Sequence, residues 1–103
     1  MEQLSLFRYS GDTLPFKVDL NKDLYGGKLY FSMKETTEDL ICIAKVVEMK
    51  EFSNVGSMII THEDTKNLVG NFSFDIRFKD KDGNVETCAS GELTLEAPVT
   101  KEL

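Results

Sequence analysis

Asn71-Phe-Ser-Phe-Asp-Ile-Arg-Phe-Lys79 places a large apolar residue at every second position, and the residues that follow it, Asp80-Lys-Asp-Gly-Asn84, are turn formers. A period of two is the period of a half-buried strand, so Phe72, Phe74, Ile76 and Phe78 are expected on the core face. Ser73, Asp75, Arg77 and Lys79 are then expected on the other. A loop of this length containing Gly closes a hairpin. The return strand from Val85 to Leu95 is expected to give Val85, Thr87, Ala89, Leu93 and Leu95 to the same core. Upstream, Thr61-His-Glu-Asp64 has the spacing of a capping box, in which a Thr hydroxyl and an acid three residues later satisfy the first N–H groups of a helix. About one helical turn is expected near 62–68, with Gly70 as its C-cap.

The rest of the chain has the same strand period. Leu14, Phe16, Val18 and Leu20 alternate with Pro15, Lys17 and Asp19, and because proline cannot donate to a ladder this strand is expected to begin there or lie at an edge. Asn21 to Gly27 is a loop of turn formers. Leu29, Phe31 and Met33 mark one face of a strand from Lys28 to Lys34, and Glu35–Asp39 is a polar connection. Leu40 to Met49 is apolar and rich in Ile and Val, which predicts a strand buried on both faces. Ser53–Gly56 breaks it, and a short strand from Ser57 to Thr61 follows. With almost no helical periodicity, the fold class expected is all-β: an immunoglobulin-like antiparallel β-sandwich of about seven strands. Residues 1–103 form one domain in this reading, with 96–103 a loosely packed tail after Pro98.

Composition agrees. A chain of 103 residues with 41% hydrophobic side chains, seven Phe and three Tyr can bury a core without disulfides or metals. Its net charge of -6 comes from 12 basic and 18 acidic residues, with the basic ones scattered singly. That argues against nucleic acid and anionic membrane as partners. No apolar run is long enough to span a bilayer, and Met1-Glu-Gln-Leu-Ser-Leu-Phe-Arg8 lacks the basic and apolar regions of a signal peptide. Cys42 and Cys88 form no C-x-x-C pair, so free thiols are the plain reading. A bridge between two sheets is the alternative, although the core Trp that accompanies such a bridge in antibody domains is missing.

No group of residues makes a reaction centre. His62 lies beside Glu63 and Asp64, but sequence neighbours point in different directions, and they read as the first residues of a solvated helical turn. Asp80, Asp82 and Asn84 put oxygens near Gly83 as a calcium loop would, yet the flanks are strands and the terminal bidentate acid is missing, so a hairpin turn is expected. Tyr9, Tyr25 and Tyr30 either form an aromatic platform for sugars or sit singly at the sandwich edges. Asp75 reads as a surface acid. No catalytic, cofactor-binding or metal-binding residue is assigned.

Arg8-Tyr-Ser-Gly-Asp-Thr-Leu-Pro-Phe16 resembles the opening of small phage tail and baseplate domains, including the N-terminal domain of baseplate upper proteins. Thr61–Leu68, Gly70–Ile76, Asp82-Gly83, Ser90-Gly-Glu-Leu-Thr-Leu95 and Val99-Thr100 resemble that family's closing half in order and spacing, while Lys34 to Met58 matches nothing specific. The resemblance implies a non-enzymatic virion structural module of a phage or prophage tail, baseplate or fibre. Such a module forms homo-oligomers, contacts other tail proteins, and joins the virion after assembly in the bacterial cytoplasm. In many relatives this domain precedes a receptor-binding or fibre region, whereas this chain ends at Leu103, so a stand-alone virion protein or a partner region on another chain is implied. The alternative function is a module that binds carbohydrate or a surface polymer through loops at one end of the sandwich.

Overall fold

A computed structural model describes residues 2–100. Seven strands and one helical turn follow in the order β1 (Glu2–Tyr9), β2 (Leu14–Asp19), β3 (Lys28–Glu35), β4 (Ile41–Glu48), β5 (Val55–Ile60), α1 (His62–Thr65), β6 (Gly70–Lys79) and β7 (Val85–Glu96). They form a five-stranded sheet in the order β1-β7-β6-β3-β4 and a two-stranded sheet of β2 and β5. All pairings are antiparallel except β1 with β7, which run parallel in the register Leu4↔Gly91 and Leu6↔Leu93. The fold is all-β, as the alternation predicts. The parallel pair departs from the purely antiparallel expectation, and it joins the first and last strands, which no hairpin could connect.

The core lies between the two sheets. Phe72, Phe74, Ile76 and Phe78 of β6 are all buried, as are Leu29, Phe31 and Met33 of β3 and Met58 and Ile60 of β5. Phe16 of β2 packs its ring 5.6 Å from Phe31 and 5.7 Å from Phe74, tying the small sheet onto the large one. Aromatic contacts at such spacings add about 0.5–1.5 kcal/mol each beyond the area they bury.

Four expectations are corrected. The apolar run at Leu40–Met49 is not buried on both faces. It becomes β4, the last strand of the large sheet, where Ile43 is the one buried residue while Ile41, Ala44 and Val46 are exposed. Val85 and Thr87 do not face the core: the pairing of β6 with β7 slips between Ile76 and Arg77, so Ala89 opposes Ile76 but Thr87 opposes Arg77. Cys88 is the extra residue, and one extra residue moves every side chain before it to the opposite face. Gly70 does not cap the helix: α1 ends at Thr65 with Lys66 as C-cap, and Gly70 opens β6 at φ +132°. Residues Glu2–Tyr9, read above only for targeting signals, are a full strand.

Other expectations hold. Thr61 caps α1 with both reciprocal bonds of the capping box, Pro15 sits one residue inside β2, an edge strand, and Asp80–Asn84 closes the β6–β7 hairpin. After Glu96 the described residues Ala97–Thr100 leave the sheet. The rest of the expected loose tail, 101–103, lies outside the described residues, as does Met1. Among the described residues no helix is long and apolar enough to cross a membrane.

Candidate functional site

A cavity of about 900 Å³ opens at one end of the molecule between the β1–β2 turn, α1 and the stretch after β7, and is lined by Asp12, His62, Lys66 and Pro98 among others. The polar groups at its base are committed to holding that corner together. His62 Nδ1 lies 2.7 Å from the Gly11 carbonyl oxygen, so that nitrogen carries a proton and donates it. Thr65, wholly buried, donates its hydroxyl to the Asp12 carbonyl at 2.8 Å and accepts from the Gly11 N–H at 3.0 Å. The Ser10 hydroxyl donates to the Leu68 carbonyl. Ser10 is therefore engaged with a backbone oxygen and not with His62, and the arrangement fastens α1 to the β1–β2 turn. The neighbouring carboxylates belong to α1 itself. Burial alone would raise the Asp64 pKa, but the Lys45 ammonium at 2.7 Å and the N–H and hydroxyl of Thr61 hold it below the usual carboxylate range. Glu63 is lowered by its bond to Lys66.

At the opposite end, the Asp80–Asn84 turn uses its oxygens internally. Asp80 Oδ1 accepts from the N–H groups of Asp82 and Asn84, and Oδ2 accepts from the Asn84 side chain. These bonds, that of the Asn84 N–H first, lower the Asp80 pKa. No group of three or more His, Cys, Asp or Glu residues converges as a metal site would among the described residues. Beside this turn, Tyr25 of the β2–β3 loop stacks on Phe52 of the β4–β5 loop, with centroids 4.4 Å apart and planes 18° from parallel. Phe52 is 80% exposed. Lys22 pairs with Glu86 and lies 5.7 Å from the Phe78 ring centroid, completing a shallow depression of about 230 Å³.

The three tyrosines are not one platform. Tyr9 meets Phe7 edge to face at the α1 end, Tyr25 lies at the far end, and Tyr30 stands in mid-sheet opposite Arg77. The missed partner is Phe52, isolated in a polar loop; its signal was a large aromatic with no alternating neighbours. Asp75 sits on the outer face of β6 opposite Ser32 and Ser90. Cys42 and Cys88 are free thiols, both pushed up by burial first of all. They belong to β4 and β7, which β3 and β6 separate, so no bridge links them or joins the two sheets.

What remains open on the surface is strand edge. At the β1 edge, the Asp12 N–H donates to the Tyr9 carbonyl, the Tyr9 N–H donates to the Asp12 carboxylate at 3.0 Å, and Arg8 donates to the Phe7 carbonyl at 2.8 Å. The β5 edge is met at its start by Ser53, whose hydroxyl takes the Val55 N–H and lies 3.3 Å from its carbonyl. The β2 edge carries Pro15, Lys17 and Asp19. The backbone of β4 from Ile43 to Glu48 has no bond from a turn or side chain among the described residues. Comparison with known proteins finds no family model that matches the chain and no curated protein of matching sequence.

Proposed function

We infer that the chain is a non-enzymatic assembly module that works through protein–protein contacts, in the setting its sequence resembles, a phage or prophage tail, baseplate or fibre. The observation that carries this reading is the open edge of β4, because a bare row of strand N–H and C=O groups is a template for another protein. The strand order supports the immunoglobulin-like part of the reading: β3, β6 and β7 follow one another as the central strands of one immunoglobulin sheet do, with β4 added at their edge and β2 paired to β5 in the other sheet. A non-enzymatic role is supported by the internal use of His62, Ser10 and Thr65.

The test is reconstitution of the purified chain with the virion proteins encoded beside it, followed by size-exclusion chromatography and scattering. A stable complex or a closed oligomer supports the reading. A monomer that joins none of them at about 100 μM overturns it.

A second reading, carbohydrate or surface-polymer binding, is favoured by one observation, the stacked Tyr25–Phe52 pair at the loop end. Sugars dock on exposed ring faces, and the outward face of Phe52 is open. Titration with phage-receptor polysaccharides, read by Tyr fluorescence and repeated on Phe52→Ala, decides it: saturable binding lost in the variant supports it, and no binding ends it.

A further inference from the structure

We propose that β4 pairs with β4 of a second copy of this chain, antiparallel across a two-fold axis at Val46, joining two five-stranded sheets into one continuous sheet. This rests on the assembly reading above and names its surface, register and partner.

The backbone geometry fixes which residues can take part. Met49 N–H donates to the Gly27 carbonyl and the Met49 carbonyl accepts from Gly26 N–H, both at 2.9 Å, so position 49 bonds toward β3. Bonding alternates along an antiparallel strand, so Val47, Lys45 and Ile43 also bond toward β3, opposite Leu29, Phe31 and Met33. Ala44, Val46 and Glu48 then turn both backbone groups outward to solvent, and such a row is a ready template for another extended strand. A two-fold axis at Val46 sets Val46 opposite itself and Ala44 opposite Glu48 of the partner, each pair exchanging both bonds.

Three observations select a second copy as occupant. The chain carries a net charge of -6, yet the charges on β4 are one Lys45 and one Glu48. Two acidic molecules therefore meet here at a neutral strip. An axis one residue earlier would set Lys45 against Lys45 and one two residues later would set Glu48 against Glu48; the Val46 axis opposes no like charges. Second, Val46 is 55% exposed and stands beside Tyr30 on the outer face, so the two-fold makes one apolar seam of Tyr30 and Val46 from each copy. Third, Leu40 and Phe52, at 83% and 80% exposure, flank opposite ends of β4. Antiparallel pairing carries Leu40 of one copy toward the partner's loop that holds Phe52.

The inward charge at Lys45, which on an edge strand would repel a newcomer, is neutralised by Asp64 at 2.7 Å. The slip between Met33 and Lys34, where Cys42 is the extra residue and donates to the Met33 carbonyl, limits the pairing to the strand after it. The two-fold contact uses the same strand on both copies and so consumes both β4 edges, which closes the pairing as a dimer. At the outer edges of the joined sheet the Phe7 and Tyr9 backbone is already bonded to Arg8 and Asp12. An edge contact of this length falls among small interfaces, so a dissociation constant of about 10–100 μM is expected.

The experiment is sedimentation equilibrium of the full chain from about 5 μM to about 1 mM, on the wild type and on Val46→Lys, whose side chain points to solvent and leaves the core intact. The wild type is expected to approach twice 11.6 kDa and the variant to stay near 11.6 kDa. In a Cys42→Ser, Cys88→Ser background, Val46→Cys is expected to form a disulfide dimer with diamide as oxidant, while Val47→Cys, opposite Lys45 in this register, is not. Dimerisation that Val46→Lys leaves unchanged, or cross-linking at Val47 in place of Val46, overturns the proposal and leaves the assembly reading standing. A monomer at every concentration overturns both this proposal and homo-oligomerisation.

Discussion

Thr65 is the residue on which the α1 corner turns. It is wholly buried, and its hydroxyl satisfies a donor and an acceptor on residues more than 50 positions earlier in the chain. Thr65→Val keeps the shape and removes both bonds, leaving the Gly11 N–H and the Asp12 carbonyl without partners, so a loss of about 2–3 kcal/mol is expected in urea unfolding. Thr65→Ser keeps the hydroxyl and should recover most of it. Gly91 is tested by size: a Cβ there would run into the Leu4 carbonyl of the parallel neighbour, and backbone cannot swing aside. Gly91→Ala should therefore push β1 from β7 and cost more than the ~1 kcal/mol of an average substitution, read as a lowered Tm. Neither role was legible in the sequence. Thr65 reads as one more polar residue of a helical turn and Gly91 as an ordinary position within the return strand, because the atoms that define both come from the far end of the chain.

Among the elements, those with one buried face were legible and those at boundaries were not. The alternations of β2, β3 and β6 name their own core residues, since the opposite sheet covers one face of each and solvent the other. β4 has the composition of a buried strand but lies at an edge, and only the pairing order shows it. The phase of β7 failed before Ala89 because a bulge leaves no mark that composition can reveal. The cap of α1 was legible because it is local. Asp64 is its acid, and its pKa is lowered in the fold by Lys45 and Thr61 despite burial. A carboxyl with a depressed folded pKa adds stability that is present above its unfolded value, about 3.9, and is lost as pH falls through the folded value. Wild-type Tm should thus fall between about pH 5 and pH 3 more steeply than that of Asp64→Asn. Equal slopes would show that the Lys45–Asp64 contact contributes nothing in solution, as exposed pairs often do.

At the scale of the whole molecule, two layers and an α1 corner follow from the alternation and the capping box, whereas the strand order does not. The parallel pairing of β1 with β7 brings together the two ends of the chain, and nothing local in Glu2–Tyr9 announces it. The charge balance, by contrast, is legible from composition alone and makes a prediction about assembly. Each copy carries -6, so bringing two together costs repulsion that reaches about 8 Å at 0.15 M salt and about 3 Å at 1 M. The pairing at Val46 places no opposite charges across the axis, so added sodium chloride has repulsion to screen and no attraction. The dimer should therefore tighten several-fold between about 0.05 M and 0.5 M salt, measured by sedimentation on the wild type. A contact built on ion pairs would weaken over the same range. That outcome would move the interface from β4 to a charged surface, such as the one around Lys22, Asp23 and Lys81.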